Sequence, residues 1–401
     1  MPAPAKTKSK AAPAAKAKAA AKSDAKPHAQ AAAPANPAAR PLKKGDHLFL
    51  VDGSSYIFRA YHALPPLTRK SDGLQVNAVL GFCNMLWKLL AEMKPEDKPT
   101  HLAVVFDKSE KTFRTEFYPE YKAHRPDAPD DLIPQFPLIR AAVHAFEIPC
   151  LEQAGYEADD LIATYARLAC EAKATTTIVS SDKDLMQLVG NGVIMYDTMK
   201  DRRIGRDEVI EKFGVGPEKV IEAQALIGDS TDNVPGVPGI GPKTAAELIL
   251  QYGDLENLLA HASEIKQNKR RENLIQFADQ ARLSKRLVTL EQNVPLDVPA
   301  DELAVHEPDY KHLIAFLKAM EFTTITRRIC EKTGIDPSAI EADANLAAGA
   351  PIPPLQGEGG AAPTAPGGVS SQATPTPPAA PATLPLSGGG IKEGALTPIA
   401  L

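Results

Sequence analysis

Residues 47–53, HLFLVDG, decide the fold. Leu48 to Val51 form an apolar run too short for a helix and bounded by polar residues, the pattern of a buried strand. The pattern returns in HLAVVFD (101–107) and TTTIVSSDKD (175–184). Each run stops at acids: Asp52, Asp107, and the pair Asp182 and Asp184. Between the runs the period changes. VNAVLGFCNMLWKLLAEM (76–93) spaces Val79, Phe82, Met85, Leu86 and Leu89 by threes and fours, and DDLIATYARLACEA (159–172) does the same with Leu161, Ile162, Tyr165 and Leu168. Both predict amphipathic helices. Strands alternating with helices predict an α/β domain, a parallel sheet with helices on both faces. Sites in such sheets lie at the carboxyl ends of the strands, where these four aspartates stand. From about residue 215 the strand pattern ceases. GVGPEKVIEAQALIGDSTDNVPGVPGIGPKTAAELILQYG (214–253) predicts helix, glycine-rich turn, helix. The reading is therefore an α/β domain over 45–213 and an all-helical domain over 214–335.

The chain has 401 residues and a formal charge of −5. Residues 1–44 carry ten Lys or Arg against one acid, Asp24, so a tail at +9 precedes a body at −14. The tail is almost all Ala, Lys and Pro and reads as disordered, suited to loose electrostatic contact with nucleic acid or to no contact at all. Residues 345–401 are rich in Pro, Gly and Ala and read as a linker or disordered tail. Cys83, Cys150, Cys170 and Cys330 lie far apart, with no Cys-x-x-Cys pair to suggest zinc, and suit a reducing cytoplasm. No apolar run reaches the ~18 residues of a membrane span, and no secretory signal opens the chain; no membrane partner is expected.

GYEADDLIATYA (155–166) sets Glu157, Asp159 and Asp160 at the mouth of a helix. Capping accounts for one or two of them, because negative charge at a helix N-terminus is worth about 0.3–1 kcal/mol. A third adds repulsion. Glu157 and Asp160 share a helix face, and Asp159 sits about 100° around from Asp160. GDSTDN (228–233) adds Asp229 and Asp232. Nine acids then converge on one edge of the fold, where each would push its neighbours toward the neutral form. Divalent cations resolve the conflict, and an all-oxygen donor set selects Mg²⁺ or Mn²⁺. So many acids suit two ions about 4 Å apart, the arrangement for in-line phosphodiester cleavage.

Two further stretches point to nucleic acid. KSEKTFRTEFYPEYKAHRP (108–126) interleaves Lys108, Lys111, Arg114, Lys122 and Arg125 with Phe113, Phe117, Tyr118 and Tyr121. Cations would track phosphates and aromatics would stack on bases. GVPGIGPKTA (236–245) places Gly236, Gly239 and Gly241 before a helix opening at Pro242, with Lys243 and Thr244 as donors. That turn between two helices predicts a helix-hairpin-helix gripping duplex backbone without reading sequence.

With these motifs, FLVDGSSYIFRAYHALPPL, VVFDKSEKTFRTEFYPEYKAHR, GYEADDLIATYA, VSSDKDLMQLV and GDSTDNVPGVPGIGPKTA, the chain from about 46 to 335 resembles the 5′-nuclease (flap endonuclease) family. Within it the likeness is to the N-terminal 5′→3′ exonuclease domain of bacterial DNA polymerase I. The resemblance implies a PIN-like, resolvase-like nuclease domain with a gateway at 108–131, followed by the hairpin domain. It implies metal ligands at Asp52, Asp107, Glu157, Asp159, Asp182, Asp184 and Asp232, with Asp160 and Asp229 as the bacterial branch's extra acids. Arg114 and Lys122 would neutralise charge on the phosphate. Phe58 and Arg59 would lie near the unpaired base, and Arg114, Lys122 and Arg125 in the gateway region that the 5′ strand end passes under. Two Mg²⁺ (or Mn²⁺) ions and a K⁺ at the hairpin turn are implied. So are substrates with 5′ flaps, nicks or forks, RNA primers on DNA, a monomeric state, a cytoplasmic, nucleoid-associated location and an associated polymerase. The family's polymerase I members continue into proofreading-fold and polymerase domains, and no polymerase activity is expected from this sequence. Two rivals are a metal-dependent phosphatase, which shares Asp-x-Asp at 182–184, and a non-catalytic DNA-binding module.

Overall fold

The computed structural model describes residues 36–109 and 111–346. The expectations for 1–35 and 347–401 lie outside the described residues. Six strands form one sheet: β1 (His47–Asp52), β2 (His101–Val105), β3 (Cys150–Leu151), β4 (Thr175–Val179), β5 (Val193–Asp197) and β6 (Arg202–Ile204). Their order is β3-β2-β1-β4-β5-β6, parallel throughout except that β6 runs antiparallel to β5. Thirteen helices are described: α1 (Gly53–Ala63), α2 (Asn77–Glu92), α3 (Phe113–Phe117), α4 (Gln135–Ala145), α5 (Ala158–Glu171), α6 (Arg206–Phe213), α7 (Val220–Ile227), α8 (Pro242–Tyr252), α9 (Leu255–Ala260), α10 (Asn268–Gln276), α11 (Ala278–Val288), α12 (Tyr310–Ala319) and α13 (Thr323–Thr333).

Alternation along β1 builds two cores. Leu48 and Leu50 face a cluster that includes Leu161, Ile162 and Tyr165 of α5 and continues into α6 to α10. Phe49 and Val51 face the other, with Phe82 and Leu86 of α2 and Phe136 and Ile139 of α4. A parallel strand buried on both faces needs such a continuous apolar run. The chain leaves β1 toward β2 on one side, while β4 joins on the other. That reversal opens a crevice at the carboxyl ends of β1 and β4, and Asp52 is the last residue of β1.

Two boundaries differ from the sequence reading. Residues 36–44 are not free tail. Asn36 Nδ2 donates to Ala304 O at 2.7 Å, and Arg40 grips Asp46 through two hydrogen bonds of 2.7 and 2.9 Å. That pairing outweighs burial and holds the Asp46 carboxyl at about 2. Nor is 214–335 one helical unit. Leu313, Ile314 and Phe316 of α12 and Ile325 and Ile329 of α13 join the second core, on the α2/α4 side of the sheet. Tyr310 meets the Trp87 ring edge-on, with centroids 6.3 Å apart, and Lys332 Nζ donates to Ala91 O at 3.0 Å. Their amphipathic period gives a helix but not the face of the sheet it covers.

Candidate metal centre and nucleic-acid interface

Seven acids line one cleft of about 40 Å³: Asp52, Asp107, Glu157, Asp159, Asp182, Asp184 and Asp232. Several elements set them there. Asp52 caps α1, accepting from Ser55 N at 3.0 Å, and also accepts from Ser180 Oγ at 2.8 Å. Asp107 follows β2 and accepts from Ser54 Oγ at 2.7 Å and from Ala158 N at 2.8 Å, which ties it to the start of α5. Asp182 and Asp184 follow β4, where Asp182 Oδ1 accepts from Asp184 N at 2.8 Å. The helical region contributes Asp232 and, through α7, Gln224, whose Nε2 donates to Asp184 at 2.5 Å. The cleft is therefore closed by both domains.

The electrostatics divide the acids. Burial pushes Asp159 and Asp182 well above the usual carboxylate range, and neighbouring aspartates add to it. Burial and Asp232 lift Asp184 to about 6. Asp52 is raised by burial against its serine donors. Glu157 goes the other way: burial opposes ionisation, but Lys122 and Arg114 outweigh it and hold it at about 2. Asp184, Asp229 and Asp232 each offer an oxygen within 4.8 Å of the others. An all-carboxylate set in which Asp52, Asp159, Asp182 and Asp184 resist ionising fits hard divalent cations.

Asp229 lies outside that cleft lining and pairs with Lys183 Nζ at 2.6 Å. Lys183 was missed in the sequence, although it stands between two of the cleft's acids.

Asp160 is no ligand. It is fully buried, and its oxygens accept from Arg114 at 2.7 and 2.8 Å, from Glu157 N at 3.0 Å and from Glu291 N at 2.9 Å. The capping explanation thus holds for Asp160, while Asp159 faces the acids.

Arg114 lines the cleft, with Nη1 3.6 Å from Glu157 Oε2, but its hydrogen bonds go elsewhere. Its donors go to Asp160, to Leu287 O at 2.8 Å and to Thr289 O at 3.0 Å, leaving a guanidinium 1% exposed that ties α3 to the end of α11. Lys122 and Arg125 face the acids more openly. Lys122 Nζ lies 2.9 Å from Glu157 Oε1 and 3.9 Å from Asp232 Oδ2, and Arg125 Nη2 hydrogen-bonds Asp232 Oδ1. Burial would lower the Lys122 ammonium, but Glu157 and Asp232 raise it well above its ordinary value.

The expected stacking surfaces are also revised. Tyr121 is buried, with its hydroxyl 3.3 Å from Glu157 Oε2, and Phe58 lies in the core beside α2; each fills apolar space and neither offers a free face. Tyr118 is half-buried against the cluster of Tyr121, Val234 and Leu287. Arg59 reaches Ser181 Oγ at 2.9 Å, near the β4 end of the cleft. Lys111 lines a groove of about 480 Å³ that shares Asp107, Lys122, Arg125 and Glu157 with the acid cleft.

At the hairpin the three glycines part company. A Cβ on Gly236 (φ +60°) would sit 2.5 Å from Gly228 N, so this glycine exists for close packing and not for phosphate approach. Gly239 (φ +80°) serves the turn's conformation. Gly241 caps α8 with nothing within 4 Å of a Cβ, so the space before that helix N-terminus is open, with Lys243 exposed beside it and Thr244 half-buried.

Residues 47–214 match the 5′-3′ exonuclease N-terminal resolvase-like domain, and residues 215–311 match the 5′-3′ exonuclease C-terminal SAM fold. The chain is 62% identical over 303 residues to DNA polymerase I of Rhizobium leguminosarum, covering 75% of this chain and 30% of that protein. It is 38% identical over 282 residues to a 5′-3′ exonuclease of Aquifex aeolicus, covering 70% and 94%. The chain thus spans about a third of the polymerase I relatives it matches and nearly all of the free-standing exonuclease. Among solved structures, a bacteriophage T5 flap endonuclease with DNA and metal ions shares the fold, at 23% identity and a TM-score of 0.50 over 72% of this chain and 100% of that one. The chain belongs to the 5′-3′ exonuclease family.

Proposed function

We propose that the chain is a divalent-metal-dependent 5′→3′ exonuclease and 5′-flap endonuclease that hydrolyses phosphodiesters in flapped, nicked or forked DNA and in RNA primers on DNA. The observation that supports this most directly is the cleft itself: seven carboxylates at the sheet's switch point, faced by Lys122 and Arg125. Asp52, Asp107, Glu157, Asp159, Asp182, Asp184 and Asp232 would hold two Mg²⁺ or Mn²⁺ ions. Bound there, the ions would supply a water of lowered pKa and charge stabilisation of the leaving oxygen. Lys122 and Arg125 neutralise the attacked phosphate, exchanging Glu157 and Asp232 for it. Ser54 and Ser180 fix the carboxylates of Asp107 and Asp52 by hydrogen bonds. The open N-terminus of α8 seats duplex backbone, with a K⁺ at the turn. On this reading the protein acts as a monomer on nucleoid DNA in the cytoplasm, alone or with an associated polymerase. The test is Mg²⁺-dependent cleavage of a 5′-labelled flap beside hydrolysis of nitrophenyl phosphate. Cleavage of the flap alone supports the proposal. Hydrolysis of the small ester alone favours the phosphatase, and flap binding without cleavage favours the DNA-binding module.

A further inference from the structure

Helix α7, VIEAQALI, is apolar but for Glu222 and Gln224. The two have different duties. Glu222 accepts from Lys285 Nζ at 2.7 Å and from Leu255 N at 3.0 Å, which ties α7 to α11 and α9. Gln224 is 3% exposed and turns to the acids, where its Nε2 donates to Asp184 Oδ1 at 2.5 Å. An ionised carboxylate only accepts, so the end of the amide facing Asp184 is the NH₂ and the end left over is the carbonyl. That carbonyl oxygen, Oε1, is buried and meets no donor among the described residues. The cations around these acids point elsewhere: Lys183 to Asp229 at 2.6 Å, Lys122 to Glu157 at 2.9 Å, and Arg125 to Asp232. Buried acceptors are met as a rule, and an unmet one marks a place where a donor belongs.

The acids beside it are fixed to the same helix. α7 stops at Gly228, whose N donates to Gln224 O at 2.8 Å. The turn that follows folds back on the helix. Asp229 and Val234 exchange backbone hydrogen bonds of 2.8 and 2.7 Å, and Val237 N donates to Leu226 O at 2.8 Å. Asp229 and Asp232 are thus carried in one piece with Gln224, and the amide brings Asp184 to that piece. Both ends of an amide sit on one carbon, so Oε1 stands beside Asp184, which in turn shares the 4.8 Å cluster of oxygens with Asp229 and Asp232. A hydrated divalent cation supplies the donor that Oε1 lacks. Water on a cation turns its oxygen to the ion and presents only hydrogens outward, and Mg²⁺ keeps several waters even where carboxylates hold it.

We propose that Gln224 is a positioning residue for the hydrated ion at Asp184 and Asp232: its Nε2 orients Asp184, and its Oε1 accepts a hydrogen bond from the ion's water shell. This rests on the reading of the cleft as a divalent-metal centre. The residue touches neither DNA nor the attacked phosphate, and it acts only through the ion.

The test is Mn²⁺ binding to the full chain without DNA, followed by EPR of the free ion, with Mg²⁺ and Ca²⁺ as competitors. Wild type is compared with Gln224→Met, Gln224→Asn and Glu222→Gln. Loss of a group that orients a metal's ligands costs about 10–100-fold in affinity, so Gln224→Met should weaken one ion by about that factor and leave the other within about threefold. Gln224→Asn, whose shorter amide cannot serve Asp184 and the water shell together, should do the same, and it keeps the test sound if the methionine variant folds poorly. Glu222→Gln, on the same helix, should leave the affinities alone. Mg²⁺ keeps more of its waters than Ca²⁺ does, so the Gln224 variants should lose more for Mg²⁺. Equal losses for the two ions would leave only the hold on Asp184 and overturn the water contact. A residue that merely packs would move the melting temperature in chelator and not the affinities. Unchanged affinities in both Gln224 variants of a wild type that does bind Mn²⁺ would overturn this role alone. A wild type that binds no Mn²⁺ would overturn the metal-centre reading beneath it.

Discussion

Asp184→Asn should stabilise the metal-free protein, and the gain should depend on pH. The Asp184 carboxyl offers an oxygen within 4.8 Å of those of Asp229 and Asp232. Burial, Asp232 and Asp229 lift it from 3.8 to about 6, against Lys183 and Gln224. At 1.36 kcal/mol per unit, the charged form carries a penalty on the order of 3 kcal/mol. The folded carboxyl holds its proton more tightly than the unfolded one. Its stabilising contribution is therefore complete below about pH 4, is lost as the pH rises through about 6, and does not change further above that. Asparagine keeps an acceptor for Gln224 and drops the charge. Solvent screening at the cleft mouth reduces the gain, to about 1–3 kcal/mol at pH 8 in chelator, or roughly 3–10 °C in Tm. At pH 4 the two proteins should melt nearly together. Mg²⁺ should raise the wild-type Tm by mass action and the variant's by less. Thermal melts in chelator at pH 4 and 8 check this. A variant melting at or below wild type at pH 8, or a gain equal at both pH values, would refute the reasoning.

Arg114→Met should cost about 3–5 kcal/mol in urea titrations, because it leaves Asp160 charged and buried without a partner; adding Asp160→Asn should recover part of that loss. Lys122→Met and Arg125→Met should each lower single-turnover flap cleavage by about 100-fold or more, on the scale of removing one donor to a developing charge, while flap binding in a gel-shift assay stays within several-fold. Gly236→Ala should destabilise by more than about 2 kcal/mol in chemical denaturation, since the new Cβ meets backbone at 2.5 Å. Gly241→Val should instead leave Tm unchanged and weaken duplex binding equally across sequences in filter binding. Deleting residues 1–35, which carry seven Lys and one Asp, should flatten the salt dependence of DNA binding and leave turnover on saturating substrate intact.

The sheet was legible because its central strands are short, apolar and separated by helical periods. Leu48 to Val51 and Leu102 to Val105 could not be read otherwise. The edges were less so. β3 has two residues, and β5 alternates buried and half-buried positions without a long apolar run, so neither stands out from loop. Six of the seven acids lining the cleft were legible as a set because each follows a strand or opens a helix, and chain direction puts those ends together; Asp232, in the turn between α7 and α8, was marked only by its spacing from Asp229. Gln224 gave no signal. It sits on α7 among apolar residues, and its contact to Asp184 exists only because two domains pack. The return of α12 and α13 to the α/β domain was likewise unreadable, since a helix period says which side is apolar and not which surface will cover it.

The misplacement of Arg114 has a physical lesson that the sequence already contained. Arg114 and Arg125 stand in one basic, aromatic stretch, and spacing alone cannot rank them for the phosphate. Asp160 ranks them. It follows Glu157 by three residues, so its carboxylate turns back onto the first turn of α5, and it is 0% exposed while Asp159 faces the acids. A carboxylate at that depth must have a cation or be neutral, and its cation must be buried with it. Arginine suits this task, because a planar fork can satisfy both oxygens and still reach two backbone carbonyls, as Arg114 does with Leu287 and Thr289. With its hydrogen bonds spent on Asp160 and two carbonyls, Arg114 meets only Glu157, at 3.6 Å, and the cations that hydrogen-bond the cleft's acids are Lys122 and Arg125, eight and eleven residues on. The third acid in GYEADDLIATYA therefore shapes the chemistry indirectly. It anchors the base of the segment whose far end carries the phosphate-facing cations, and this is why the loss in Arg114→Met should appear first in stability and only through it in cleavage.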